Sequence, residues 1–336
     1  RSDTQQIIIS GKISMVYRKI LKLLMTFFVI ITLNFCLPRL MPGDPFYFLS
    51  SEQGEITISY SDEEIQRQRA YYGLDKPIMV QYGRYLKSMA KGDLGYSIYF
   101  NNDVWTIIKN RIPWSISLVF LSMIIGGFFG IILGCLSAWQ RNGLLDKILY
   151  STMVFVSEIP PFLIGILFLF YLAAHWGLFP LSGGMTPFAD YASWTDRIFD
   201  IAYHGILPVI TLGVVQMGDF FLISRSSMIA VMNKDYMTTA RAKGITTGRI
   251  LLRHALTNAA LPIITRIFNG LGQAVGGTVL VENVFNYPGL GLLMRQAVLV
   301  RDYPLIQGIF LTITLFVLIM NFMADIVYKK FDPRIV

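Results

Sequence analysis

The sequence predicts an all-α membrane protein with six transmembrane helices, and its composition and its apolar runs support that fold class. The chain of 336 residues is 54% apolar or aromatic and only 15% charged, and its mean hydropathy is +0.53. Soluble domains contain about 45–50% apolar and about 25% charged residues. Six stretches are long and apolar enough to cross a bilayer as helices: Ile20–Leu40, Ile116–Ala138, Ile148–Ala174, Ile206–Ile223, Leu261–Val281 and Leu305–Val327.

The cysteines and the distribution of charge exclude further classes of protein. Cys36 and Cys135 both lie inside apolar runs, which leaves neither a disulfide framework nor a zinc site. The net charge of +8 alone would fit nucleic-acid binding. However, lysines and arginines concentrate before span one, between spans two and three, between spans four and five, and after span six. Such an excess marks the cytoplasmic side of a membrane protein. We therefore expect both termini to be cytoplasmic, a lipid bilayer as partner, and no nucleic acid.

The third span carries a predicted interruption. Pro160 and Pro161 lie within it, and proline removes a backbone donor and kinks or breaks a helix. We expect a kink or break at this point rather than one straight helix.

The segment between spans one and two is predicted to be an extracytoplasmic helical domain. Ser61 and Glu64 form a capping-box pattern that indicates a helix start, and Gly73 is expected to end that helix. A second helix is predicted over Ile78–Met89, ending near Gly92. The chain then divides into a cytoplasmic segment 1–19, a first helix 20–41, an extracytoplasmic domain 42–114, a five-helix core 115–328 that includes a cytoplasmic hairpin 225–260, and a cytoplasmic tail 329–336.

The chain shows no pattern of catalytic or cofactor-binding residues. Its three histidines, His175, His204 and His254, are tens of residues apart and form no pair at metal-ligand spacing. A phosphate-binding loop of the Gly-x-x-x-x-Gly-Lys type and a Gly-x-Ser-x-Gly elbow do not occur. We therefore expect neither an enzyme nor a metal or cofactor bound by this chain.

A few ionisable residues inside the spans are candidates for function, because charges in lipid are costly. Glu158, Arg266 and Asp325 lie near span ends or breaks, where water is within reach. Asp219 lies deeper, and two interpretations stay open: it faces a translocation path, or it pairs with another helix. Four glycines of the second span also predict close packing with a non-identical partner chain: Gly126, Gly127, Gly130 and Gly134.

The most informative segment lies between spans four and five. Asp235–Gly244 predicts a short helix in which Ala240 and Ala242 flank Arg241, and Gly244 ends it. A second amphipathic helix is predicted over Arg249–Asn258. The segment is therefore expected to form a cytoplasmic helix–glycine–helix hairpin. It could rest on anionic lipid, or its small residues could admit the surface of another protein.

The run Asp235-Tyr236-x-x-Thr239-Ala240-Arg241-Ala242-Lys243-Gly244, followed by Arg253-His254, resembles the coupling motif of ATP-binding-cassette importer permeases. The likeness is to the dipeptide/oligopeptide/nickel branch, and to the first of its two permease subunits. Other segments match that branch in order along nearly the whole chain: Met41–Pro45, Tyr72–Pro77, Gly92–Ser97, Ile159–Phe162, Leu207-Pro208, Glu282–Gly291, Arg301–Pro304 and Asp332–Arg334.

The resemblance implies a type I importer-permease fold in a bacterial plasma (inner) membrane. It implies a homologous second permease, two ATPase subunits that bind ATP and Mg²⁺, and an extracytoplasmic substrate-binding protein that docks on the outer domain. It assigns coupling to the ATPases to these residues: Asp235, Tyr236, Thr239, Ala240, Arg241, Ala242, Lys243, Gly244 and His254. The expected substrates are di- or oligopeptides, with nickel, metal chelates or glutathione-like compounds as alternatives.

Two other classes of function are weaker interpretations. A secondary transporter working alone typically has inverted repeats with broken helices in corresponding halves, and no such repeat is visible. An intramembrane enzyme or scaffold would need paired polar groups at matched depth, and only Asp219 is available.

Overall fold

The structure is a computed structural model that describes residues 25–40, 62–244, 246, 248, 250 and 255–331. In these residues the regular structure is helical, apart from an isolated bridge between Tyr96 and Asp103. The all-α prediction is therefore confirmed. The helices are α1 Met25–Arg39, α2 Asp62–Tyr71, α3 Ile78–Ala90, α4 Val104–Trp139, α5 Leu144–Glu158, α6 Pro161–Phe168 with a π-helix over Leu169–His175, α7 Trp194–Met232, α8 Asp235–Ala242, α9 Thr257–Val284, α10 Leu290–Leu299 and α11 Tyr303–Phe331.

Three helices in the described part of the chain are long and apolar enough to cross a membrane: α4, α7 and α11. The bent pair of α5 with α6 and its π-helix makes a fourth if it counts as one span. Helix α1 is shorter, and the first residues of the predicted first span, 20–24, lie outside the described residues. The membrane character is therefore confirmed, and the number of six spans stays a prediction.

The predicted break in the third span is present. Helix α5 ends at Glu158, α6 begins at Pro161, and the two parts are bent by 96°. Ile159 is extended, with φ −78° and ψ 125°, which is the conformation that a following proline favours. Pro161 occupies the first helical position, where its missing N–H costs nothing.

Several helices extend beyond the predicted spans or lie between them. Helix α4 begins at Val104, well before Ile116, and contains Pro113. Helix α7 begins at Trp194, well before the predicted start of the fourth span at Ile206. Ser193 caps that helix by accepting a hydrogen bond from the N–H of Asp196 at 3.2 Å. The connection after span five contains the helix α10. The predicted spans end where the apolar runs meet polar residues, whereas the helices continue through those polar residues.

The chain forms two compact units, and the first comprises Arg1–Ile107 with Gln296–Thr314. Both helices predicted between spans one and two are confirmed, as α2 and α3. Gly73 and Gly92 follow them with φ of +68° and +73°, a conformation that glycine adopts without steric cost. The predicted cap, Ser61, lies outside the described residues.

A buried carboxylate organises part of this first unit. Asp302 is fully buried and accepts hydrogen bonds from Ser97 Oγ at 2.5 Å, Tyr99 N at 3.0 Å and Leu305 N at 3.2 Å. It thereby caps the start of α11 and fixes the turn around Ser97. Two segments that carry the family resemblance, Gly92–Ser97 and Arg301–Pro304, are thus structural partners.

The second unit, Ile108–Arg295 with Leu315–Val336, contains the packing of α4 against α7. A Cβ atom added at Gly130 would lie 2.5 Å from the carbonyl oxygen of Met217, and one at Gly134 would lie 2.7 Å from that of Phe221. Only glycine permits so close an approach of two helices. The prediction that this glycine face packs against a partner chain is therefore wrong, because α7 of the same chain occupies it.

The segment Glu282–Gly291 in the second unit closes around one acidic side chain. Glu282 is fully buried and accepts hydrogen bonds from Ser115 Oγ at 2.7 Å and Gly291 N at 2.6 Å. A Cβ atom at Gly289 would collide with the Glu282 carboxylate. The glycines of this motif are therefore required by packing around Glu282, which holds α9, α10 and α4 together.

Candidate coupling site

The candidate site is built on α8, the short helix between α7 and α9. Helix α7 ends at Met232, and α8 begins shortly afterwards at Asp235. The Asp235 carboxylate lies in the first turn of α8, where it interacts favourably with the positive end of the helix dipole. The N–H of Met237 donates to the carbonyl oxygen of Lys234 at 2.9 Å. Gly244 follows the helix with φ +70°, as predicted for a residue that ends it.

Met237 holds α8 against the rest of the second unit. Its side chain is fully buried and belongs to an apolar cluster with Ala138 of α4 and Met228 and Val231 of α7. Ala255 and Ala259, which precede and begin α9, belong to the same cluster. This Met237 cluster therefore links α8 to three helices of the bundle.

The other side of α8 is open. Asp235, Tyr236 and Thr239 are exposed, with 42% of Tyr236 accessible. Lys243 and Gly244 beyond the helix end are exposed as well, and a Cβ atom at Gly244 would meet nothing within 4 Å. The buried Met237 attaches α8 to this chain, and the exposed residues around it leave α8 accessible to another protein.

Some of the predicted coupling residues are only partly described. The backbone of Ala240 and Arg241 belongs to α8, and Ala242 is the last residue of that helix and is exposed. His254 and most of the predicted second helix Arg249–Asn258 lie outside the described residues. Its last residue, Asn258, belongs to the long helix α9, so the predicted end of the second helix at Asn258 is wrong.

An ion pair joins α7 to α5, close to the residues that α7 gives to the Met237 cluster. Arg225 donates from Nε and Nη2 to the two oxygens of Asp146 at 2.8 and 2.9 Å, and Ser137 also donates to this carboxylate. The N–H of Asn142 donates to Asp146 at 2.9 Å. Because Asp146 is almost fully buried, this fork of charge-assisted bonds fixes the α4–α5 turn onto α7.

The structure shows one of the two interpretations of Asp219, the pairing with another helix, whereas a position on the translocation path stays a prediction. Its carboxylate accepts a hydrogen bond from Nη2 of Arg266, so Asp219 of α7 pairs with α9. The predicted site residue Glu158 is exposed at the end of α5. Gly218, the residue before Asp219, packs against Ser157, the residue before Glu158, at 2.9 Å from an added Cβ to the Cβ of Ser157. Both acidic residues therefore lie next to the α5–α7 crossing.

Three side chains of this region were not predicted from the sequence: Met237, Asp146 and Arg225. The motif around Met237 was found, but its burial depends on Met228 and Ala138, which are distant along the chain. Asp146 and Arg225 are 79 residues apart, and no local pattern joins them. The one signal in the sequence was Asp146, an acidic residue beside an apolar run, because such a residue requires a partner when it is buried.

Comparison with known proteins defines the class. Residues 130–336 match the family described as binding-protein-dependent transport system inner membrane component, and residues 12–119 match the N-terminal part of such membrane components. The chain belongs to this family and is a membrane permease component of a binding-protein-dependent transport system.

Several curated relatives are similar over almost their whole length. The dipeptide transport system permease protein DppB of Escherichia coli K12 is 33% identical over 326 residues, covering 92% of this chain and 95% of that protein. The protein of the same name from Bacillus subtilis 168 is 35% identical, covering 92% and 94%. The di/tripeptide permease DppB of Pseudomonas aeruginosa UCBPP-PA14 is 32% identical, covering 96% and 98%.

Solved structures support the fold. Two crystal forms of the inward-facing MetNI methionine ABC transporter contain a chain that matches with TM-scores of 0.52 and 0.53 and 15% identity. The match covers 67% of this chain and 96% and 95% of those chains. The likeness confirms an importer-permease fold for the matched part.

Proposed function

We propose that this chain is one of two transmembrane subunits of an ATP-driven importer and that its cargo is di- and oligopeptides. The substrate proposal rests on the relatives, since permeases named for dipeptide and di/tripeptide transport in three organisms match at least 92% of this chain. In this role the chain forms half of the path, and a homologous second permease forms the other half.

The proposed contact with the ATPases rests on the geometry of α8. Tyr236, Thr239 and Lys243 are exposed, whereas Met237 between them is fully buried in the Met237 cluster. An ATPase subunit that binds the exposed side of α8 in a groove would therefore transmit its movement through Met237 to α4, α7 and α9. ATP hydrolysis itself would take place on the two partner subunits.

We further propose that the termini and α8 are cytoplasmic and that the segment 42–114 faces outward, in a bacterial inner membrane. The positive-inside distribution of lysine and arginine supports this orientation. The two helices of the first unit, α2 and α3, would then face an extracytoplasmic binding protein.

Uptake by the complete importer tests the substrate class. The chain with its co-encoded permease, ATPases and binding protein is reconstituted in liposomes, and ATP-dependent accumulation of radiolabelled dialanine is measured. We expect accumulation that requires both ATP and binding protein. Uptake of nickel or glutathione, with no uptake of dialanine or longer peptides, would contradict the peptide proposal and leave the permease role in place.

Two glycines give a matched test of coupling. Gly244→Val places a β-branched side chain at φ +70°, whereas Gly248→Val makes the same change at an exposed glycine without a positive φ. We expect Gly244→Val, and not Gly248→Val, to reduce co-purification of the ATPase subunits and uptake together. Full ATPase binding and uptake in Gly244→Val would contradict a role of α8 in coupling.

A further inference from the structure

The ion pair between Asp219 and Arg266 lies at the rim of the contact between α7 and α9. Phe220 and Ile263, each next to or one turn from the pair, are buried together in one apolar cluster. The charged side chains themselves are not buried, because 38% of Asp219 and 22% of Arg266 are accessible. The Asp219–Arg266 pair therefore lies between the apolar α7–α9 contact and the accessible surface.

The face of α9 that carries Arg266 is polar and open for a helix that the sequence predicts to cross the membrane. Pro262 and Asn269 lie on the same face, at helical spacings of four and three residues from Arg266, and both are exposed. Further along, Gly276 and Gly277 are exposed, and a Cβ atom added at either would meet nothing within 4 Å. This face thus combines a charge pair, an amide and a smooth glycine surface.

Such a face is poorly suited to lipid. Ionised side chains in membrane helices face a protein interior or a water-filled cavity, because hydrocarbon cannot solvate them. A guanidinium and a carboxylate that are in contact and partly accessible can each exchange its partner for a ligand charge. The paired arrangement gives each charge a partner while no ligand is present.

The chemistry of the proposed cargo fits these two charges. At neutral pH an unblocked peptide carries an ammonium group at one end and a carboxylate at the other, since their ordinary pKa values are about 8 and about 3.5. Guanidinium binds a carboxylate through two parallel N–H donors, and a carboxylate accepts from an ammonium group.

We infer that Asp219 and Arg266 form a subsite on the translocation path that binds the terminal ammonium and carboxylate of a zwitterionic peptide. This inference rests on the proposed function, and it assigns to the pair a role beyond joining α7 to α9. Asp219 accepts from the peptide ammonium, and Arg266 donates to the peptide carboxylate.

The test uses the complete importer in liposomes, with dialanine as the probe and two readouts: ATP hydrolysis stimulated by loaded binding protein, and dialanine molecules accumulated per ATP hydrolysed. The main variant is the double change Asp219→Asn with Arg266→Gln, which removes both charges and leaves no unpaired one. We expect normal assembly and stimulated hydrolysis, with at least a tenfold loss of dialanine per ATP. Lys147→Gln, which removes an exposed charge on α5, is the control and should keep the wild-type ratio.

A second variant separates binding from helix packing. Arg266→Lys keeps the positive charge for Asp219 but loses the forked donor geometry. We expect it to assemble normally and to transport several-fold fewer dialanine molecules per ATP. A wild-type ratio in either variant would overturn the inference, and so would failure of both to assemble, because the pair would then serve packing alone. A wild-type importer that transports no peptide would contradict the proposed function instead, before any variant is compared.

Discussion

Met237→Ala is the sharpest test of how α8 is attached to the bundle. Met237 is fully buried among Ala138, Met228, Val231 and Ala255. Truncation of a buried methionine to alanine removes its apolar contacts and leaves a cavity, at a cost of about 2–5 kcal/mol.

The free-energy cost of Met237→Ala can be converted into a change in the docked fraction of α8. Helix α8 has only eight residues, and so short a helix is not stable alone. The loss at Met237 therefore acts mainly on the docking of α8 rather than on the whole bundle. A change of about 2 kcal/mol lowers the ratio of docked to undocked α8 by roughly 30-fold.

The assay measures protease sensitivity and transport in parallel. In Met237→Ala we expect cleavage of the segment around α8 to become faster, ATPase subunits to stay bound through the open side of α8, and peptide uptake per ATP to fall. Met237→Leu conserves the volume and should cost less than about 1.5 kcal/mol. Met25→Ala makes the same truncation at a methionine that is 63% exposed and should have little effect.

One outcome would contradict this role of Met237. If Met237→Ala shows wild-type protease resistance and wild-type uptake per ATP, the Met237 cluster does not transmit motion from α8. The exposed side of α8 could then still bind a partner, but the force would have to enter the bundle elsewhere.

Three further predictions concern the α4–α7 contact, the Asp146–Arg225 pair and Tyr85. Gly130→Val should prevent the α4–α7 packing, because its Cβ would lie 2.5 Å from Met217 O, and should abolish accumulation of folded protein in fluorescence-detected chromatography. Asp146→Ala should destabilise the chain by about 3 kcal/mol, as measured by thermal unfolding, because Arg225 loses its carboxylate partner while remaining mostly buried. Asp146→Ala with Arg225→Met should recover much of that loss. Burial raises the pKa of Tyr85 to about 12, so the neutral phenol is favoured in the folded state. Stability should fall as pH rises from about 10 to about 12, and Tyr85→Phe should weaken this dependence in pH-dependent unfolding.

The parts that the sequence predicted correctly are those with strong local signals. Pro160-Pro161 marks the broken span, because proline acts on the backbone at its own position. Gly73, Gly92 and Gly244 mark helix ends, because the positive φ that ends a helix selects glycine locally. The short helix Asp235–Ala242 carried an end signal in Gly244, and the structure shows it inside the predicted segment Asp235–Gly244.

The parts that could not be predicted depend on contacts between distant segments. Helix α7 extends to Trp194 beyond its apolar run, and neither end of the run shows that the helix continues. The glycines near Gly130 indicated a close contact, but sequence spacing cannot say whether the neighbour belongs to the same chain. Asp219 had two open interpretations because its partner, Arg266, comes from another helix.

The arrangement of contacts along α7 suggests how one helix could carry the movement. From its Met232 end, α7 contributes Val231 and Met228 to the Met237 cluster, then Arg225 to the ion pair with Asp146, then Asp219 to the pair with Arg266. Val231 and Asp219 are 12 residues apart, which is about 18 Å of helix at 1.5 Å per residue. In the half of this stretch up to Arg225, Gly130 and Gly134 of α4 bring the two backbones into direct contact. A close-packed helix pair resists local bending, so a displacement applied through α8 would reach the Asp219–Arg266 pair as a shift of α7 as a whole. The same ion pair that would receive the peptide charges is thereby connected, through one continuous helix, to the surface that would receive the ATPase.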